Sequence, residues 1–286
     1  MPTFRLSLLA ACILCSSLLQ LAHAAADSDS LDQAVASRSD EDRARDSARH
    51  PAQTLEFFQL QPGMTVAEGL PGSGWYTRIL VDYLGGKGAL YGVNYADRMW
   101  PMFSFATPEF IAKRKASTDK FPELVATFTD NGIATMGFTF ESVPANVAGT
   151  VDRVLLIRAL HNLNRFETQA GTRTKALAAI NTMLKDDGMV GVVQHRAPET
   201  ATDEWADGNR GYLKQSAVIA MFQKAGFELV ARSEINANPK DQPGADDIVW
   251  RLPPSLRGGK EDPELKAAML AIGESDRMTL LFRKTR

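Results

Sequence analysis

Cysteine is almost missing from this chain. The only two, Cys12 and Cys15, stand inside an apolar run from Leu6 to Leu21. With that run removed, nothing remains to form a disulfide, a thiol nucleophile or a cysteine metal site. A basic surplus is missing too. The 32 lysines and arginines against 34 acids leave a net charge of −2, which excludes the broad cationic footprint of a nucleic-acid binder. Internal repeats and low-complexity tracts are absent. Histidine is scarce, and of the four present, His23 lies in the N-terminal segment. What is left is an ordinary globular composition, 44% hydrophobic over 286 residues, enough for one large domain or two small ones.

The N-terminal segment has its own order. Arg5 precedes the apolar run, and Ala22-His23-Ala24 follows it. A charged start, an apolar middle and an A-x-A end predict a signal peptide over 1–24, cleaved after Ala24. The mature protein is then expected in the periplasm or secreted, with no stable membrane span. A flexible leader is expected over 25–37, and one folded domain over 38–286. Ser39 is the expected N-cap of a charged helix. Its Arg43, Arg45 and Arg49 read as a solvated face, the alternative being that one of them reaches a ligand carboxylate.

The organising stretch is Met64 to Thr77, MTVAEGLPGSGWYT. Met64 to Ala67 is apolar and closes on Glu68. A turn of small residues follows, then a helix expected from Trp75 to Tyr83. Strand, glycine turn and helix in that order make a ligand cradle, because glycine admits close approach and a helix start offers free N–H groups. The acid ending the strand suits a ligand with hydroxyl or amino groups. Gly72, Gly74 and Thr77 give G-x-G-x-x-T, which lacks the third glycine of a dinucleotide fingerprint.

Further strands are predicted at Ala89 to Asn94, Ile133 to Phe138, Val151 to Ile157, Met189 to Gln194, Gly226 to Val230 and Met278 to Arg283. Helical segments alternate with them, which argues for a mostly parallel α/β sheet. Insertions are expected over 97–130 and 236–276, the latter with a helix at Pro263 to Ala271. Ligands of such sheets sit beyond the carboxyl ends of the strands. Arg158 and His161 follow the fourth strand, and His195 and Arg196 end the fifth. Two histidines on strand ends suggest a proton acceptor, while no ligand spacing supports a metal site.

The pattern Glu68-x-x-Pro71-Gly72-x-Gly74 resembles the first motif of class I S-adenosylmethionine (SAM)-dependent methyltransferases. The phrases LKDDGMVGVV and AGFELV resemble later junctions of the same family. The likeness is greatest to exported chains, themselves predicted methyltransferases, that carry a PGxGWYT turn. Two positions depart from the pattern. Leu70 stands where a first glycine is usual, and Asn94 where an acid usually grips the ribose.

The resemblance implies a Rossmann-like fold, a seven-stranded sheet with helices on both faces and an antiparallel last strand. It implies SAM as cofactor, held by Glu68, Gly72, Gly74, Thr77 and Asn94, with Glu141 near the adenine. Arg158, His161 and His195 would then line the acceptor side and serve catalysis on a small-molecule substrate. A proline-rich nucleobase motif is absent from the fourth strand, which disfavours that substrate class. The second reading is an exported, non-catalytic small-molecule-binding protein on the same fold.

Overall fold

A computed structural model describes residues 30–285 of the chain. The expected signal peptide and its cleavage site lie outside the described residues. Eight strands form the sheet: β1 Thr65–Gly69, β2 Ala89–Asn94, β3 Ala134–Thr139, β4 Val151–Ile157, β5 Leu184–Ala197, β6 Leu213–Lys214, β7 Phe227–Ser233 and β8 Arg277–Lys284. Their order is β3-β2-β1-β4-β5-β8-β7, with the two-residue β6 paired to the end of β5. β1 is parallel to both β2 and β4, and β8 runs antiparallel to β5 and β7. The chain steps outward from β1 to β3, then returns beside β1 as β4. That reversal opens a crevice at the carboxyl ends of β1 and β4.

β4 shows why the sheet is central. Val151, Val154, Leu155 and Leu156 are wholly buried, as expected for an apolar strand covered on both faces. One face packs under helices α1 Pro51–Phe57, α2 Thr77–Leu84 and α4 Phe121–Ala126, with Leu55, Phe58, Ile79, Leu80 and Phe121 filling its core, while α3 Pro108–Asp119 turns Phe110 and Ile111 to the other cluster. The other face carries α5 Leu160–Arg165, α6 Thr172–Met183 and α7 Gln215–Lys224, with Leu160, Leu177, Ile180 and Phe222 buried together. The last helix, α8 Pro263–Ile272, lies in the insertion before β8, capped by Asp262 accepting from the Leu265 N–H.

Three expectations need correction. Residues 30–36 are helical, and Leu31 and Ala34 join the core of Leu55 and Phe58, so the leader is ordered from residue 30. The charged helix is broken into single turns, Asp40–Arg43 and Asp46–Arg49, and Arg49 is 2% exposed rather than solvated. The cradle helix starts at Thr77, leaving Trp75 and Tyr76 in the turn.

Candidate functional site

The cradle end of the crevice is built from β1 and the turn after it. Glu68 is buried at the end of β1, and Thr77 Oγ1, at the start of α2, donates to its Oε2 at 2.6 Å. Burial pushes this carboxyl up to about 7, against the opposing Thr77 hydrogen bond. Leu70 takes a left-handed backbone, with φ of 58°, a conformation that glycine adopts without strain.

The two turn glycines differ. A side chain at Gly74 would collide with the Phe128 ring at 2.6 Å, whereas one at Gly72 would meet nothing nearer than the Leu70 carbonyl at 3.8 Å. Gly72 therefore faces open space. It lines a cleft of about 330 Å³ together with Pro71, Asn94, Lys120 and Phe121.

The other end of the crevice is polar and crowded. Arg158 follows β4 with φ of 58°, a strained conformation for a side chain of its size, and its N–H donates to Val193 O at 2.7 Å. His161, at the start of α5, is buried beside it. Gln194, inside β5, fixes the state of that ring. Its Nε2 donates to the carbonyls of His195 and Gly211, at 3.1 and 2.8 Å. Its Oε1 then faces His161 and accepts from the backbone N–H at 3.2 Å and from Nδ1 at 3.3 Å. This network assigns the proton to Nδ1 and leaves Nε2 as the free acceptor.

His195 lies with its ring 5.5 Å from that of His161, and its Nδ1 is 2.6 Å from Ser275 Oγ. Burial pushes His161 down to about 4; Gln194 opposes this, while Arg158 and Arg165 add to it. Burial also holds His195 well below its ordinary value, helped by His161, Arg158, Arg277 and Arg49. Both rings are neutral near pH 7.

Around them sits a cluster that the sequence did not announce. Glu274 accepts from Arg45 at 2.5 Å, Arg49 at 3.3 Å and Arg277 at 3.0 Å. Burial would raise its carboxyl, but Arg49, Arg277, Arg45 and Arg158 outweigh burial and hold it below the ordinary range. Arg158 is the fourth cation of the group, brought down to about 10 by burial first and by Arg277 and Arg45, against Glu274. Its guanidinium makes no hydrogen bond to a described residue. One carboxylate among four arginines leaves a buried positive surplus.

Several predicted residues play other parts. Thr77 is fully buried against Glu68 and orients it. Asn94 lines the cleft, but its amide donates to Thr118 Oγ1 at 2.9 Å. Glu141 lies outside the cleft, bound to Arg98 and 3.7 Å from Lys175. Arg196, next to His195, is tied to Asp276 and Glu234. Beside this group, Tyr212 is buried with its hydroxyl donating to Asp241 at 3.0 Å. Among the described residues, no three histidines, cysteines or acids gather as a metal site.

The fold is the Rossmann-like one of class I methyltransferases, with a mostly parallel sheet, helices on both faces and a reversed last strand. Among solved structures, the 4+2 cyclase SpnF aligns with a TM-score of 0.51 and 14% identity, over 83% of this chain and 80% of its own. A SAM-dependent methyltransferase from Aquifex aeolicus aligns at 0.47 and 16%, over 68% of this chain and 87% of its own. The 1,6-didemethyltoxoflavin-N1-methyltransferase of Burkholderia thailandensis, solved with S-adenosylhomocysteine, aligns at 0.46 and 12%, over 84% of this chain and 79% of its own. At such identities the likeness is one of fold. No family model matches the chain. No curated protein matches it either.

Proposed function

We propose that this protein is a SAM-dependent methyltransferase acting on a small molecule. The observation that carries this reading is Gly72. It is a left-handed turn glycine whose side-chain position opens onto the cleft that Asn94 also lines, one turn from buried Glu68. A cradle that a Cβ would narrow, beside an acid and a strand-end amide, fits an aminoacyl nucleoside. The turn backbone and Glu68 would hold its polar groups, and Asn94 Oδ1 stays free to accept because only its Nδ2 is used by Thr118.

SAM supplies a sulfonium methyl for in-line displacement, and positioning is the main task left to the protein. On the acceptor side, Arg158 offers an unbound guanidinium and His161 offers Nε2. Proton transfer to that nitrogen would serve an acceptor that must lose a proton. The same reading takes the protein as exported and cleaved after Ala24; mass spectrometry of mature protein should then show Ala25 as the first residue, and an intact Met1 would refute export.

A second reading, a non-catalytic binding protein, draws on the same histidine. A ring held to about 4 is a weak base at neutral pH. SpnF is a cyclase, so a related sheet also serves other chemistry. Calorimetry separates the two readings. SAM and S-adenosylhomocysteine should bind the wild type and fail to bind Gly72→Val, whose strained left-handed backbone lowers the melting temperature while the variant stays folded at about 25 °C. Absence of binding to folded wild type would overturn the methyltransferase reading.

A further inference from the structure

A second cleft of about 600 Å³ opens between α5 and the segment joining β7 to β8. Phe103, Phe105 and Trp250 give it aromatic walls, Arg165 and Arg257 bring two cations, and Asn162 contributes an amide. No carboxylate lines it. Most arginines of this protein hold an acid, as Arg38, Arg173, Arg196 and Arg251 do. The guanidinium groups of Arg165 and Arg257 hold none, nor do they donate a hydrogen bond to any described residue. Arg165 instead lies over the rings of Phe103 and Phe166, 5.8 and 5.0 Å from their centroids.

Two further features lack an explanation within the chain. Phe105 is 63% exposed, the most open large apolar side chain among the described residues, with its ring 5.3 Å from that of Phe103. Asn162 Oδ1 is buried without a hydrogen-bond partner, which a native interior seldom tolerates. Asn162 directly follows His161, and the Trp250 ring packs 5.8 Å from the imidazole. The cleft therefore adjoins the histidine through Asn162 and Trp250.

We propose that this cleft receives the methyl acceptor, and that the acceptor is an aromatic anion: a planar ring bearing a carboxylate and a hydroxyl or N–H group. Each part answers one observation. Aromatic walls favour a ring held edge-on or stacked. Two unpaired guanidinium groups and no acid favour a carboxylate, which they match in geometry and charge. The hydroxyl or N–H group follows from methyl transfer, which needs a nucleophile beside His161. The word acceptor rests on the methyl-transfer reading, whereas binding of the anion does not. Transfer to the hydroxyl would form an O–CH3 bond, return the C–S electron pair to sulfur and pass the hydroxyl proton to His161 Nε2.

The test is calorimetric titration of the mature protein with 4-hydroxybenzoate, indole-3-acetate and the neutral 4-hydroxybenzamide. SAM is titrated separately. At least one carboxylate should bind at a single site, and 4-hydroxybenzamide should bind about tenfold more weakly than 4-hydroxybenzoate. Arg165→Gln and Arg257→Gln should each weaken carboxylate binding about tenfold, and Phe105→Ala about threefold. Arg257 and Phe105 are exposed, so their variants keep the fold intact. The proposal is overturned if neither carboxylate binds, if the amide binds as well as the acid, or if both arginine variants bind like wild type. Arginine-dependent carboxylate binding without SAM binding would leave the anion cleft standing and sink methyl transfer; the reverse pattern would sink the anion cleft alone.

Discussion

The two ends of the crevice bury charge in opposite ways. At the cradle, one acid is enclosed with a single hydroxyl for company, and its carboxyl rises to about 7. At the ends of β4 and β5, four arginines share one glutamate and two histidines are kept neutral. The acid at the first end tends to hold its proton, while the bases at the second tend to shed theirs. Near neutral pH Glu68 is thus in part uncharged, while the arginines keep the second end cationic. A neutral histidine set among fixed cations is an acceptor whose proton affinity rises when an anion arrives.

The largest expected effect bears on the second end. His161→Ala should lower turnover roughly 10²–10⁴-fold, the usual range for a positioned acid or base. Affinity for SAM should hardly move, because the cradle stands on another strand. If the substitution lowers melting temperature and leaves turnover per folded molecule intact, the ring is structural.

Next comes a contrast in pH dependence. Glu68 has its folded value raised above 4.5, so its contribution is complete below about 4.5 and is lost as pH climbs toward 7, by roughly 3 kcal/mol. His161 is depressed from 6.5 to about 4, so its contribution is complete above 6.5 and is lost as pH falls toward 4, by a similar amount. Between about 4.5 and 6.5 the two slopes oppose each other. Glu68→Gln should remove one of them, so that stability from denaturant melts rises more steeply with pH through that window. An unchanged slope would mean that Glu68 is not held protonated.

A smaller effect separates the turn glycines. Gly74→Ala forces a methyl into Phe128 and should cost about 2–4 kcal/mol of stability, the upper range for overpacking with a left-handed backbone. Gly72→Ala meets open space and should cost only about 1–2 kcal/mol for its backbone, yet weaken SAM binding more than Gly74→Ala does. Equal affinities in the two variants would break the assignment of Gly72 to the ligand. Smallest of all, Leu70→Gly relieves a left-handed leucine but gives up its packing, and the net change in stability should stay within about 1 kcal/mol.

The cradle was legible because its parts are close in sequence. Glu68, Gly72 and Thr77 fall within one strand–turn–helix unit, and an apolar run closing on an acid marks where the strand ends. The histidines were legible for a similar reason, since β4 and β5 are apolar until they turn abruptly polar. The arginine cluster was not. Arg45 and Glu274 meet across 229 positions, and nothing near either names the other. Arg49 sits in a run with the composition of a solvated face, and its burial is decided by Glu274 and by Trp75. The start of α2 was placed too early because Tyr76 shares a helical stripe with Ile79, Leu80 and Tyr83, whereas Trp75 and Tyr76 stay in the turn, where the Trp75 indole donates to Asp42 O. Thr118, which uses the Asn94 amide, belongs to an insertion whose contacts no local pattern specifies.

Trp75 also has a practical consequence. The guanidinium groups of Arg38 and Arg49 lie over its ring, 4.8 and 4.5 Å from the centroid, and its Nε1 donates to Asp42 O at 2.9 Å. The residue is part of the turn that joins Gly74 to α2, so any shift of that turn changes the polarity and charge felt by the chromophore. With Trp100, Trp205 and Trp250 replaced by phenylalanine, the emission of Trp75 alone would follow the turn in stopped-flow mixing. The chain thus carries its own optical gauge at the mouth of the cradle, readable in milliseconds without any attached dye.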